Sequence, residues 1–406
     1  MNGHGAEGRA ERSFGRGRGR VIYVRKQEDA ETLWQRNDTT TGINFSKYDK
    51  VPVSVRGENI PQAIAKFEEA GLSSVLSSNI RRAGFETPTP VQKHGIPILM
   101  AARDLMACAR TGSGKTAAFL FPIITGLSGS KSQGKEGLQV TPQVVVMVPV
   151  RELALQIYQE GVKFCGGTGL TCQVVYGGES AREQLIRLGG GCNILVATVG
   201  RLKDFVERGR ISFKSIRYLV LDEADRMLEM GFREDIETLI KRMPQQCFQT
   251  MMFSATFPKD IQELARKYLH NDHIFLQFGE EGSACENVRQ MFEDMSGKNR
   301  VEKTEFLVEM LKKQRNNNYE KTLIFVEQKK YADFLALNLC QEELPATTMH
   351  GDRAQEERET ALNDFKTGFK PILVATAVAA RGLHIAGITH VINFEMPSTI
   401  EEYIHR

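Results

Sequence analysis

The chain has 406 residues, of which 41% are hydrophobic and 25% are charged, a composition typical of a globular protein long enough for two domains. Its net charge is +3, and residues 1–25 alone hold six arginines against two glutamates, or +4, which leaves the remainder near −1. This balance argues against a protein that binds nucleic acid by bulk positive charge, so any such surface must be a local groove.

The cysteines and the hydropathy pattern indicate a soluble protein that is not secreted. The seven cysteines show neither the close spacing of a zinc site nor a dense disulfide framework, so we expect reduced intracellular thiols. There is no run of about 18 apolar residues, and the N-terminus lacks the apolar stretch of a secretory signal. We therefore expect no contact with a membrane.

Residues 1–40 are rich in glycine and arginine and then polar, a composition that cannot bury enough apolar surface to fold alone. We predict a disordered tail. Segments rich in Arg and Gly can bind RNA through cationic and stacking contacts. The alternative for this tail is a solubilising role.

From about residue 75, apolar runs alternate with longer stretches of helical period. The runs cover residues 104–109, 143–150, 193–198, 218–225 and 249–256 and, after a looser stretch, 321–328, 346–351, 371–376 and 389–397. Nearly continuous apolar strands separated by helices predict parallel sheets covered on both faces. We predict two α/β domains, at 41–277 and 300–406, joined by a linker at 278–299.

A glycine-rich loop lies between the run at 104–109 and a helical stretch. It consists of Ala109, Arg110, Thr111, Gly112, Ser113, Gly114, Lys115 and Thr116. Such a loop directs backbone N–H groups at phosphate oxygens, and the helix N-terminus adds positive potential. Lys115 is then placed for the β- and γ-phosphates and Thr116 for Mg²⁺, although Ala109 stands where the usual pattern has Gly. The alternative is a purely structural turn, which the strand, loop and helix context disfavours.

A second motif, which is acidic, follows the apolar run that begins at residue 218. Asp222 is predicted to bind Mg²⁺ through water, and Glu223 to polarise an attacking water. Asp225 completes the motif. By itself this would be an acidic strand end, but its order after the glycine-rich loop predicts a site for nucleotide hydrolysis.

With both motifs placed, the chain from about residue 41 to its last residue resembles the DEAD-box RNA helicases, and residues 41–57 are similar to the Vasa subgroup. The resemblance implies two tandem RecA-like domains that bind ATP and Mg²⁺ and clamp RNA. It implies RNA-stimulated ATP hydrolysis with local strand separation. It further implies a monomer in the cytoplasm, in perinuclear germ granules of the germline, with germ-granule proteins as partners.

The resemblance also assigns the adenine contacts and a coupling motif. Gln92, which follows the stretch 84–91, would pair with adenine, and Phe67 would stack on its ring, which favours ATP over GTP. The alternative is a core phenylalanine and a glutamine that starts a helix. Ser254 and Thr256 resemble the motif whose hydroxyls bridge to the acidic motif and tie the ATP state to RNA binding.

The RNA contacts that the resemblance implies go mostly to the sugar-phosphate backbone, which explains binding without sequence preference. Considered one at a time, most of the residues assigned to these contacts would be ordinary solvent-exposed surface residues. The matching positions are Pro149, Arg151, Glu152, Gly177, Gly178, Thr198, Gly200 and Arg201 in the first domain and His350, Gly351, Gln355, Arg358, Thr376, Arg381 and Gly382 in the second.

Four positions depart from the family pattern. Arg110, Val150 and Val199 replace Gln, Thr and Pro, and we expect them to perturb the sites without abolishing them. His384 stands where the family has an Asp that accepts a hydrogen bond from the ATP ribose.

The resemblance further implies that residue 406 falls inside the motif whose arginines neutralise charge on the γ-phosphate. On that basis the second domain is expected to be incomplete, and ATP turnover by the chain is expected to be reduced. The rival functions are an ATP- and RNA-binding clamp that does not turn over, and an ATPase that acts on DNA or protein.

Overall fold

The fold was obtained as a computed structural model. It describes residues 28–35, 52–109, 112–130, 134–137, 139–244, 248–279, 288–314, 321–377, 385 and 387–406. Most of the tail predicted to be disordered, residues 1–40, lies outside these residues, but its residues 30–35 form a helix whose Leu33 is buried. Five predicted site residues also lie outside the described residues, namely Arg110, Thr111, Arg381, Gly382 and His384.

The first domain is built on an eight-stranded sheet with the strand order β1-β10-β2-β9-β8-β5-β7-β6. Seven of these strands run parallel, and the edge strand β1 pairs antiparallel with β10. A separate hairpin joins β3 to β4. The strands are β1 Val53–Arg56, β2 Leu105–Cys108, β3 Lys135–Glu136, β4 Gln139–Val140, β5 Val144–Val148, β6 Cys172–Val175, β7 Ile194–Thr198, β8 Tyr218–Leu221, β9 Gln249–Ser254 and β10 Ile274–Phe278.

Helices cover both faces of this sheet, which is why the central strands are apolar along their whole length. One core contains Phe121 and Phe164, and the other core contains Phe205 and Met252. The helices are α1 Ala30–Gln35, α2 Ser74–Arg82, α3 Pro90–Met100, α4 Lys115–Leu127, α5 Arg151–Cys165, α6 Ala181–Leu188, α7 Val199–Glu207, α8 Ala224–Glu229, α9 Arg233–Ile240 and α10 Lys259–Tyr268, with a short 3₁₀ helix at Phe67–Ala70.

The second domain is built on a parallel four-stranded sheet in the order β12-β13-β11-β14. Its elements are α11 Arg300–Gln314, β11 Lys321–Val326, α12 Lys329–Gln341, β12 Ala346–Met349, α13 Gln355–Thr367, β13 Ile372–Thr376, β14 Ile388–Asn393 and α14 Ile400–His405. Cores lie on both faces of this sheet too. The prediction of tandem α/β domains is therefore confirmed.

The structure corrects several details of the predicted strands. The predicted runs are longer than the strands, since β8 ends at Leu221 and β9 at Ser254; α8 begins at Ala224, and Ala255 and Thr256 lie outside any helix or strand. Strands β1, β6 and β10 were missed because a polar residue inside each, Ser54, Gln173 or Gln277, interrupts the apolar run. Within the described residues, no helix has both the length and the hydropathy needed to cross a membrane.

Candidate nucleotide and RNA site

The glycine-rich loop joins the end of β2 to the start of α4. Gly114 caps α4 with a left-handed φ of +87°, and a Cβ there would lie 2.5 Å from the side-chain nitrogen of Gln92. Only glycine meets both demands. Lys115 is the first residue of α4 and is buried, and its Nζ donates a 2.8 Å hydrogen bond to the Ala109 carbonyl. Thr116 follows it, half-buried.

Gln92 links the start of α3 to this loop. Its Oε1 accepts from the Thr89 backbone N–H at 2.9 Å, and Thr89 Oγ1 accepts from the Gln92 N–H, which together form a capping box. Its Nε2 donates to the Gly114 carbonyl at 3.0 Å. Gln92 therefore touches the phosphate-binding loop, and its contact with adenine stays a prediction.

Phe67 lies in a buried aromatic cluster on the same side of the sheet. Its ring packs edge to face against Phe85, at 6.2 Å between centroids, and against Phe121, at 5.9 Å. Only 6% of Phe67 is exposed. The residue serves the core in this structure, and its stacking on adenine also stays a prediction.

The acidic motif begins directly after β8. Asp222 is buried, and its Oδ1 accepts from the Glu223 N–H at 3.0 Å. Glu223 has a φ of +53°, a strained value for a side-chain-bearing residue and one typical of functional sites. Burial, with the neighbouring Asp222 carboxylate, raises the pKa of Glu223 to about 7. Burial also raises the pKa of Asp222, against the pull of the Lys115 ammonium.

Asp225 connects this motif to the end of β9. Its Oδ2 accepts from the Ala255 N–H at 3.0 Å, from the Thr256 N–H at 2.9 Å and from the Thr256 hydroxyl at 2.9 Å. Ser254 is fully buried, and its hydroxyl has no hydrogen-bond partner among the described residues. Of the two hydroxyls that the resemblance assigns to this bridge, the Thr256 hydroxyl reaches the acidic motif and the Ser254 hydroxyl does not.

The donor set of this site fits a magnesium-bound nucleotide. Two buried hydroxyls, Ser113 Oγ and Ser254 Oγ, lack a hydrogen-bond partner within the described part of the chain. Buried polar groups are normally paired, so such orphans point to a polar ligand. Carboxylate and hydroxyl oxygens at Asp222 and Thr116 are the type of ligand that Mg²⁺ takes.

Two predicted RNA residues of the first domain contact the second domain directly. Arg151 Nη1 donates to Gln355 Oε1 at 3.2 Å, and an Arg358 nitrogen lies 2.5 Å from a Glu152 carboxylate oxygen. The Glu152 and Arg358 side chains are only 4% and 10% exposed. Burial, together with the Arg358 charge, lowers the pKa of Arg151.

Gly178 lies against the same arginine. Its φ of +90° favours glycine, and a Cβ there would lie 2.2 Å from Arg151 Nη1, so any larger residue would displace the arginine side chain. Arg201 Nη2 donates to the Glu179 carbonyl at 3.1 Å, which places it beside Gly178 in the chain. Arg151, Gly178 and Arg201 are therefore held near one another, as a common backbone-binding surface requires.

The remaining predicted RNA residues lie at the carboxyl ends of strands. Pro149 follows β5, Thr198 ends β7 and caps α7, and Gly200 is exposed in that helix. In the second domain Gly351 follows β12 and Thr376 ends β13. All these positions are where ligands bind in parallel α/β sheets.

Sequence reasoning missed Asp333 on α12. Its carboxylate accepts from Thr348 Oγ1 at 2.9 Å and from Arg353 at 2.6 Å, and it lies 3.0 Å from His350 Nε2. It therefore orients the predicted RNA residue His350. No local signal marks it, because its partners lie 15 to 20 residues further along the chain.

Two family models match the chain. The model described as DEAD/DEAH box helicase covers residues 89–264, and the model described as helicase conserved C-terminal domain covers residues 302–406. The RNA helicase Prp28 from Chaetomium thermophilum, solved with ADP, is 33% identical and has a TM-score of 0.52. The match covers 95% of this chain and 88% of Prp28. This chain belongs to the DEAD-box helicase family.

Curated relatives confirm the similarity to Vasa. The probable ATP-dependent RNA helicase DDX4 of Pelophylax lessonae is 49% identical over 95% of this chain and 53% of its own length. The ATP-dependent RNA helicase vasa of Drosophila melanogaster is 47% identical over 90% of this chain and 54% of its own length. The chain thus spans about half the length of these DEAD-box relatives.

A second solved structure matches both domains of this chain at once. S. cerevisiae Dbp5 bound to RNA and ADP BeF3 has a TM-score of 0.71 at 26% identity, covering 84% of this chain and 85% of Dbp5. This score exceeds the 0.52 of Prp28 although the identity is lower. The tandem RecA-like arrangement predicted for a DEAD-box protein is therefore present.

Proposed function

We propose that this chain is the core of an ATP-dependent RNA helicase that binds ATP with Mg²⁺, grips RNA by its sugar-phosphate backbone, and couples ATP hydrolysis to local strand separation. One observation carries the proposal. Five motifs lie at the same edge of one sheet, formed by the carboxyl ends of its parallel strands. They are the nucleotide motifs after β2, β8 and β9 and the RNA motifs after β5 and β7. Binding of one ligand at that edge therefore reaches the residues that serve the other.

The residues of the nucleotide site have separable roles. Lys115 is positioned to exchange its bond with the Ala109 carbonyl for a phosphate oxygen. Thr116 and Asp222 would hold Mg²⁺, which when bound neutralises phosphate charge and orients the phosphates. Glu223, with its pKa raised to about 7, would orient the attacking water and take up its proton.

Coupling to RNA would run through Asp225 and the domain contacts. Asp225 and Thr256 lock the acidic motif to the end of β9. Arg151 and Glu152, which follow β5, reach Gln355 and Arg358 of the second domain. The likeness to the RNA-bound Dbp5 structure, with a TM-score of 0.71, supports a domain arrangement suited to gripping RNA.

The setting and boundaries of the protein form part of the same proposal. We assign the ATP-binding domain to residues 41–277, the linker to 278–299 and the second domain to 300–406. The resemblance of residues 41–57 to the Vasa subgroup is the basis on which we propose a germline, cytoplasmic site of action with germ-granule proteins as partners. A monomer suffices for these contacts, since both domains of the site come from one chain.

The test is phosphate release with single-stranded RNA and with DNA of the same sequence. We expect RNA to raise the steady-state rate at least about tenfold, and DNA to have little effect because the contacts favour ribose. Glu223→Gln should bind nucleotide yet release no phosphate. A rate of phosphate release that does not change with RNA, or that DNA raises as much as RNA does, would refute an RNA helicase. Nucleotide binding without phosphate release would instead support the clamp that does not turn over.

Replacing Gln92 by alanine is expected to reduce the preference for ATP over GTP by about tenfold, the loss of one or two base hydrogen bonds. Competition titrations with the two nucleotides measure the ratio. Thr89→Val is the matched control, since it removes the cap to the Gln92 N–H but keeps the Gln92 amide. An unchanged ratio in Gln92→Ala would show that adenine is read elsewhere.

A further inference from the structure

A short segment outside the helicase motifs packs against α2 and α5 of the first domain. We call residues 28–35, which contain α1, the N-terminal strap. Leu33 is buried, with 2% exposed, and Asp29 caps the helix by accepting from the Thr32 N–H at 2.7 Å. Glu31 pairs with Arg82 of α2 through two bonds of 2.8 Å. The strap thus bridges to α2 without forming part of the nucleotide site.

Trp34 fixes the strap to α5. Its ring meets Phe164 edge to face at 6.3 Å between centroids. The Arg82 guanidinium lies 4.9 Å from the ring centroid, and the buried Lys163 ammonium lies 5.8 Å from it. Two cations and one aromatic ring therefore surround this half-buried tryptophan.

A continuous series of ring contacts leads from Trp34 to Phe67, the residue proposed to stack on adenine. Phe164 packs on Phe121 at 4.8 Å and on Phe85 at 5.8 Å. Both of those rings pack on Phe67, at 5.9 and 6.2 Å. Phe121 lies on α4, the helix that Lys115 starts, so the series joins the strap to the phosphate-binding helix as well.

We propose that Trp34 is a positioning residue for the nucleotide site: docking of the N-terminal strap holds the Phe164, Phe121 and Phe85 rings and through them Phe67. Close-packed interiors transmit such displacements because there is little void to absorb them. This inference rests on the proposed nucleotide-binding function. It adds a control element that lies outside the helicase motifs.

The strap is suited to reversible docking. A helix of six residues is not stable by itself, and its ion pair with Arg82 is exposed, so its attachment depends on Trp34 and Leu33. If docking strengthens nucleotide binding, nucleotide must strengthen docking by the same factor. The coupling can therefore be measured from either end.

Trp34 is the single tryptophan of the chain, so intrinsic tryptophan fluorescence reports the strap alone. We expect a saturating non-hydrolysable ATP analogue to reduce acrylamide quenching of Trp34. Arg82→Ala removes the guanidinium that lies over the Trp34 ring as well as the exposed ion pair, so it should raise quenching in the free protein and weaken affinity for the analogue. Identical quenching of the parent chain with and without saturating analogue would overturn the coupling.

The second measurement is the dissociation constant of the same analogue. Trp34→Ala is expected to weaken binding by about three- to tenfold, and Trp34→Phe to restore most of the loss because it keeps the edge-to-face contact. Val206→Ala is the matched control, since this buried residue of α7 belongs to the core on the opposite face of the sheet. It should lower the melting temperature without changing the dissociation constant.

The outcomes separate this inference from the proposed function. If the parent binds the analogue and Trp34→Ala binds it equally well while melting earlier, the strap is structural only and the inference is wrong, although nucleotide binding stands. If the parent binds no analogue and Lys115→Ala behaves in the same way, the proposed function is wrong and the inference falls with it.

Discussion

Replacing Lys115 by alanine is expected to lower affinity for an ATP analogue by at least about a hundredfold, because charge-assisted bonds to phosphate are roughly twice as strong as neutral ones. The Lys115 ammonium is already desolvated, with 7% of the residue exposed, and it faces the loop from the first turn of α4. Its exchange from the Ala109 carbonyl to a phosphate oxygen therefore requires little further loss of water.

Two further variants control this result. Lys115→Met keeps a long apolar stem in the buried position and removes only the charge, so it should bind the analogue as weakly as Lys115→Ala but melt closer to the parent. Lys241→Ala removes an exposed lysine just after α9 and should bind like the parent. Calorimetric titration checks all three, and parental affinity in Lys115→Ala would refute the phosphate-binding role.

The parts of the site that the sequence predicts are those whose signal is local. The glycine-rich loop is visible because a β-rich run, the glycines and a helical stretch follow one another within a few residues. The position of Gln92 is likewise local, since a capping box spans only three residues from Thr89. The left-handed Glu223 sits where a strand turns directly into a helix.

Contacts between distant residues were not predictable. The Glu152 and Arg358 pair joins the starts of two helices in different domains, and no periodicity relates them. Their assignment to RNA rests on a family resemblance, and the structure adds that they meet each other. Asp333 went unnoticed for the same reason, since it orients His350 from the middle of α12.

The aromatic series shows a different limit of sequence reasoning. Trp34, Phe67, Phe85, Phe121 and Phe164 are spread over 131 positions and come from separate elements that pack on one face of the first sheet. The sequence allowed Phe67 to be either a core residue or an adenine contact. Its packing on Phe85 and Phe121, two rings that also meet Phe164, places it in the core, and its contact with adenine stays a prediction.

Breaking the ion pair between Glu152 and Arg358 is expected to lower RNA-stimulated ATP turnover by about a hundred- to a thousandfold. The pair is buried between the domains, so removing one partner leaves an uncompensated buried charge, which costs about 3–5 kcal/mol. That cost falls only on the arrangement in which the domains touch. Nucleotide binding to Lys115 and its loop should therefore change little in Glu152→Ala or Arg358→Ala.

The double variant Glu152→Met with Arg358→Met gives the deciding comparison. Replacing both charges by apolar groups of similar length removes the uncompensated charge, so the double variant should turn over faster than either single methionine variant. A matched control is Lys312→Met, which breaks an exposed pair with Glu342 inside the second domain and should have an effect near the limit of measurement. The parent, the two single variants and the double variant form a double-mutant cycle. For each we would measure steady-state turnover at saturating RNA, and RNA affinity in the presence of a non-hydrolysable analogue. If the losses of the two single variants simply add in the double variant, Glu152 and Arg358 act on RNA independently, and the pair does not hold the domains together.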